Sequence, residues 1–102
     1  MSNIATNRLN KSETYLMETA LAKDSSQKLV VVELKAGSAT DSALGQILGY
    51  MGYLAEDVRG SGGVRGILVA SIFDRRVIFA ARSLDNLRLV KYRINFGFEE
   101  VT

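Results

Sequence analysis

The sequence predicts an α/β fold: a mixed β-sheet flanked by helices, in the order β-β-α-β-α-β-β. Three observations predict it. Leu29-Val-Val-Val-Glu-Leu-Lys-Ala-Gly37 is an apolar run rich in β-branched residues, the pattern of a strand covered on both faces. A helix-length segment with apolar residues at Leu44, Ile47, Leu48, Met51 and Leu54 follows it. A second buried-strand run, Gly66-Ile-Leu-Val-Ala-Ser71, comes next. A strand, helix and strand of these lengths imply a parallel, right-handed crossover.

The elements follow in order. Met1–Ser12 is polar with scattered apolar residues, so residues 1–13 read as a tail or a partial helix. Thr14–Ala22 fits a strand on Tyr15, Met17, Thr19 and Leu21, although a helical stripe is also available. Asp24-Ser-Ser-Gln-Lys28 is a short polar turn, so the two runs around it form an antiparallel hairpin. Ser38 or Thr40 can cap the first helix, and Asp41 suits its positive end. That helix runs to about Val58 and carries Gly45, Gly49 and Gly52, each costing about 1 kcal/mol relative to Ala. Their spacing implies close packing against the sheet or a partner helix, and so raises a homodimer. Gly60-Ser-Gly-Gly63 lacks a following Lys-Ser/Thr and reads as a plain flexible loop. Asp74 can cap a second helix with Val77, Ile78, Ala81 and Leu84 on its apolar side. Leu87–Tyr92 alternates as a strand, and Ile94–Phe98 alternates as an edge continuation.

Composition narrows the chemistry. The chain has 102 residues, enough for one core, with 47% hydrophobic and 24% charged residues. It contains neither cysteine nor histidine. Disulfides, Cys/His zinc sites, Ser-His-Asp and Cys-His nucleophile systems are thereby excluded. Catalysis here must use carboxylates, Lys, Tyr, Ser/Thr and bound hard cations. Net charge is +2, with the basic residues weighted toward the half after Val58. Arg65, Arg75 and Arg76 in that half are candidate phosphate contacts or a plain solvated face. The N-terminus shows no apolar signal segment, so cytoplasmic residence is expected. The longest apolar stretch, Ala43–Ala55, is interrupted by Gln46 and too short to span a bilayer.

The organising strand carries two charges. Alternation puts Val31, Glu33 and Lys35 on one face and Val30, Val32 and Leu34 on the other. The acid and the ammonium thus lie about 7 Å apart on one face of a largely buried strand. Burying charges without partners costs several kcal/mol. Either the two are a structural ion pair, or Glu33 ligates a metal beside a phosphate that Lys35 also approaches. Both sit near the carboxyl end of the strand, the edge where open α/β sheets bind ligands. Gln46 and Tyr50 follow at i and i+4, sharing a face of the next helix.

Glu33-Leu34-Lys35, Ala36-Gly37, Gln46 and Tyr50 together resemble the PD-(D/E)xK nuclease superfamily, in the branch with RecB-like and NucS-like nuclease domains. Val64–Ala70 and Tyr92–Phe96 add to the likeness, which spans about Glu18 to the C-terminus. The resemblance implies a restriction-endonuclease-like sheet, residues 14–102 forming a single nuclease-like domain, and Mg²⁺- or Mn²⁺-dependent hydrolysis of DNA phosphodiesters. It also implies that Glu33 ligates metal together with the Leu34 carbonyl. Lys35 would position the attacking water, and Gln46 and Tyr50 would steady the lysine, the water or the DNA backbone. The family usually carries an Asp on the preceding hairpin strand, about fourteen residues before the Glu. Counting back without gaps lands on Thr19. Glu18 serves as the metal ligand if the Asp24–Lys28 turn holds one extra residue. A chain of this fold that lacks the second acid would be an impaired module binding nucleic acid or a protein partner.

Overall fold

A computed structural model describes residues 5–10, 17–57 and 63–102, with side chains described at 19–56 and 63–102. Four strands of one sheet bracket the first helix: β1 (Ala5–Asn10), β2 (Met17–Lys23), β3 (Leu29–Lys35) and, after the helix, β5 (Val64–Ala70). Between them come a two-residue β4 (Ser38–Ala39) and helix α1 (Asp41–Asp57). Then follow β6 (Ile72–Phe73), helix α2 (Arg75–Arg82) and β7 (Leu87–Lys91). The main sheet has the order β1-β2-β3-β5-β7, antiparallel from β1 to β3 and parallel from β3 to β7. The expected mixed sheet with flanking helices is therefore present.

Three details differ from the sequence expectation. Residues 5–10, expected as tail or partial helix, form β1 and pair with β2. Backbone hydrogen bonding to a neighbouring strand gives a polar segment a place at a sheet edge that its side chains do not announce. Residues 94–98, expected as an edge strand, have no regular structure, with Ile94, Phe96 and Phe98 exposed. Alternation alone does not make a strand where no neighbour supplies hydrogen bonds. Third, a short parallel pair, Ser38–Ala39 with Ile72–Phe73, joins the starts of the two helices. The Gly60–Gly63 loop falls mostly outside the described residues.

The Asp24–Lys28 turn closes the β2–β3 hairpin as expected. Asp24 Oδ1 accepts hydrogen bonds from Ser26 N, Ser26 Oγ and Lys28 N at 2.9, 2.7 and 3.1 Å. The Ser26 hydroxyl is the largest influence holding the Asp24 carboxyl down to about 2, with the backbone donors and Arg65 adding to it. Gln27 takes a left-handed φ of 69° inside this turn.

Both helices pack on the same sheet face. Ala43, Ile47, Met51 and Leu54 of α1 and Val77 of α2 join Val31, Leu68, Ala70 and Leu87 in one buried cluster. Gly66 marks where α1 rides closest on the sheet: a Cβ there would lie 2.5 Å from Met51 Sδ and 3.1 Å from Ile47 Cδ1. The sheet makes no close approach at Gly45, Gly49 and Gly52. All three are exposed, and a Cβ on any of them meets nothing within 4 Å. The opposite sheet face carries half-buried Val32, Ile67 and Val69 and exposed Leu34 and Val90, and no described helix covers it. Among the described residues no helix is long and apolar enough to cross a membrane.

Candidate active site

The β3 register decides which side chains meet. Thr19 stands directly across from Glu33 on β2, and Leu68 stands beside Glu33 on β5. Residues paired in register point to the same side, so Thr19, Glu33 and Leu68 lie under α1 together with Val31. All three are buried, Thr19 at 1% exposure and Glu33 and Leu68 at 0%. Lys35, two residues on, shares the face and is 8% exposed at the strand's carboxyl end.

Glu33 is thus a carboxylate enclosed by apolar packing. Thr19 Oγ1 donates to Glu33 Oε1 at a long 3.4 Å. Glu33 Oε2 is buried with no hydrogen-bond partner. Burial pushes the Glu33 carboxyl up to about 7, and the Thr19 hydroxyl only partly opposes it. Burial likewise pulls the Lys35 ammonium below its usual range.

Gln46 stands on α1, one turn before Tyr50. The helix begins at Asp41 and runs back over the sheet, so Gln46 lies about 7–8 Å from its start at 1.5 Å per residue. Glu33 lies about 7 Å back from Lys35 along β3. Gln46 Oε1 is also buried and without a partner. Tyr50, one turn further, packs half-buried against the core cluster. Glu33 Oε2 on β3 and Gln46 Oε1 on α1 are thus two buried acceptor oxygens without hydrogen-bond partners.

The remaining predicted residues fall into three groups. Leu34 turns its side chain to the opposite face at 44% exposure, so any ligand from this residue is its backbone carbonyl. Glu18 pairs in register with Leu34, and the hairpin holds the ungapped alignment with no extra turn residue. In this register the residue directly opposite Glu33 is Thr19. Thr19 was reachable from sequence only as the ungapped count of fourteen. Arg65 pairs with Asp24 at 3.4 Å, level with Val30 at the far end of the sheet, and does not join the site. Arg76 pairs with Asp41 at 3.3 Å at the carboxyl edge, and Arg75 lies 5.6 Å from the Phe79 ring centroid at the start of α2.

That edge is tied together by the crossover loops. Gly37, at φ 103°, donates from its N–H to Tyr92 Oη at 3.2 Å. Its carbonyl accepts from Ser71 N at 3.0 Å and from Ser71 Oγ at 2.9 Å. These bonds fix where the chain leaves β3 directly after Lys35.

The donor set admits a hard divalent cation of limited kind. Among the described residues no three His, Cys, Asp or Glu side chains gather to hold a metal. One buried carboxylate with a free oxygen suits an ion that keeps several waters and takes further ligands from substrate phosphate, as Mg²⁺ does. It does not suit an all-protein cage.

A mixed sheet with its helices on one face, and an acid and a lysine on its central strand, defines an α/β domain of nuclease architecture. The profile of the endonuclease NucS C-terminal domain matches residues 14–94, and the chain belongs to that family. Solved structures agree. The chain is similar to "Structure of EndoMS in apo form", with TM-score 0.66 and 27% identity over 89% of this chain and 39% of that one. It is also similar to "Structure of EndoMS-dsDNA2 complex", with TM-score 0.61 and 26% identity over 88% of this chain and 38% of that one. "Crystal structure of a repair endonuclease from Pyrococcus abyssi" shares the fold, with TM-score 0.63 and 23% identity over 85% and 38%. The chain thus spans about two-fifths of the length of these proteins. No curated protein matches it.

Proposed function

We propose that the chain is the nuclease domain of a DNA endonuclease that hydrolyses phosphodiester bonds with Mg²⁺ or Mn²⁺. The observation that carries this reading is Glu33: a fully buried carboxylate with one unpartnered oxygen, beside Lys35, in a member of an endonuclease family. Glu33 and the Leu34 carbonyl would hold the cation. Such a cation would supply Lewis acidity and charge neutralisation at the phosphate. Lys35 places a positive charge on the same strand face for the phosphate and the attacking water. Gln46 and Tyr50 would fix the position of that lysine, the water or the DNA backbone, and Arg75 and Arg76 border the same edge. The dsDNA complex of a 26% identical protein supports DNA as the partner, and with it a cytoplasmic location.

Purified chain with Mg²⁺ or Mn²⁺ should nick or cut at least one of duplex, mismatched, branched or single-stranded DNA. Lys35→Ala and Glu33→Gln should each lower the rate at least a hundredfold, in line with removing one electrostatic contact to developing charge. Residual cleavage equal to wild type in both variants would refute the assignment.

Thr19 favours a second reading. With a hydroxyl where a second acid would stand, the chain would be an impaired nuclease-fold module that binds nucleic acid or a protein partner. Absence of divalent-cation binding by calorimetry, with DNA present, would select it.

A further inference from the structure

We propose that Phe79 holds Arg75 and Arg82 as a paired guanidinium clamp on helix α2, and that the clamp grips two phosphates of one DNA strand. The inference rests on the DNA-directed reading above and deepens it with a contact surface that involves neither Glu33 nor Lys35.

Helix α2 has a buried side and an exposed one. Val77 is buried in the core cluster, while Arg75, Arg76, Ile78, Phe79 and Arg82 are exposed. Positions 75, 79 and 82 stand four and three residues apart, so their side chains meet on one face. The guanidinium carbon of Arg75 lies 5.6 Å from the Phe79 ring centroid, and that of Arg82 lies 5.2 Å from it. Both distances fall within the range of a cation held against an aromatic ring. Stacking engages the flat face of a guanidinium and leaves its in-plane N–H donors open. Among the described residues neither arginine has a carboxylate partner, whereas Arg76 is paired with Asp41. The acids nearest in sequence, Asp74 and Asp85, pair with neither of the two.

Stability does not account for this arrangement. A helix N-terminus disfavours cations, yet α2 opens with Arg75 and Arg76 and has no acid in its eight residues. Phe79 is 51% exposed. A ring set against two long side chains removes rotamer freedom that both would otherwise lose on binding an anion. The two distances keep the guanidinium carbons within about 11 Å of each other. DNA carries a phosphate about every 3.4 Å along each strand, so such a pair reaches nearby phosphates of one strand. α2 starts at the carboxyl edge, where β3 ends, and runs back to the start of β7. Arg75 therefore adjoins the edge of the site, and Arg82 lies about 10 Å further along the flank. A polyanion crossing the site would continue along that flank.

The test is binding of the full chain to a short fluorescent duplex, followed by anisotropy over a series of salt concentrations, in chelator and again with Ca²⁺. The substituted side chains are exposed, so the variants should fold as the wild type does. Arg75→Gln and Arg82→Gln should each reduce the slope of log affinity against log salt by about 1, the loss of one phosphate contact. Phe79→Leu should weaken binding at least threefold, and Phe79→Tyr, which keeps a ring, should stay within twofold of wild type. With both arginines already changed to Gln, Phe79→Leu should have no further effect, because the ring acts only through them. A wild-type slope in both arginine variants overturns the proposal and leaves the nuclease reading standing. So does full affinity in Phe79→Leu, or a loss from Phe79→Leu that persists without the arginines. No duplex binding by the wild type, with or without Ca²⁺, overturns both.

Discussion

Glu33 is the residue where stability and chemistry oppose each other. Its carboxyl is raised from 4.5 to about 7 in the folded chain, chiefly by burial. The folded state therefore holds the proton more tightly than the unfolded chain does. That contribution is fully present below about pH 4.5 and is lost as pH rises through about 7. At about 1.36 kcal/mol per unit, the loss is about 3 kcal/mol. The cation-free chain should melt at lower temperature at pH 8 than at pH 5, measured by circular dichroism in chelator. Glu33→Gln, neutral at every pH, should remove most of that difference; an unchanged slope in the variant would show that another group sets it. Glu33 and Lys35 were legible in sequence because strand alternation needs no partner to be read. Thr19 was not, because its meaning depends on hairpin register. The register is set by a turn whose Gln27 lies at φ 69° and whose Asp24 gathers three donors.

At the scale of elements, α1 carries opposite lessons on its two sides. Its inner side meets the sheet at Gly66, where an added methyl would press on Met51 and Ile47. Gly66→Ala should lower stability by about 1–3 kcal/mol, the usual cost of overpacking a core. Its outer side carries Gly45, Gly49 and Gly52 with open space above each. Replacing each by Ala should raise stability by about 1 kcal/mol through helix propensity alone. Denaturant midpoints check both, and destabilisation by the outer substitutions would mean that a partner helix packs there. Spacing suggested contact at these glycines, yet the contact is made by a glycine on the strand instead. Helix periodicity shows which side is apolar, but not which of two packed surfaces yields the room. In α2, Asp74 sits at the N-cap without a side-chain cap bond, and Val77 and Ile78 N–H groups bond its carbonyl instead.

At the scale of the whole molecule, one central strand fixes the arrangement. β3 joins the antiparallel and parallel halves of the sheet, and its carboxyl end is where both crossover loops meet. The α/β class, the hairpin and the crossover were legible because each is written in local pattern. β1 was hidden, since an edge strand held by backbone hydrogen bonds asks little of its side chains. The Ile94–Phe98 alternation misled for the converse reason: side chains of strand type found no neighbouring backbone. Residues beyond Arg93 are exposed, with Phe98 at 95%. A chain ending at Arg93 retains the Tyr92 bond to Gly37 and should unfold within about 0.5 kcal/mol of the full chain, as expected for surface changes. A larger loss in denaturant titration would show that the terminal segment supports the fold.

The most direct measurement is anomalous diffraction from crystals of the chain grown with Mn²⁺ and a hydrolysis-resistant duplex. A manganese peak at bonding distance from Glu33 and from a DNA phosphate oxygen, with Lys35 beside that phosphate, is the predicted result. A peak elsewhere, or DNA bound with Glu33 still enclosed against Thr19 and no metal beside it, would contradict the account.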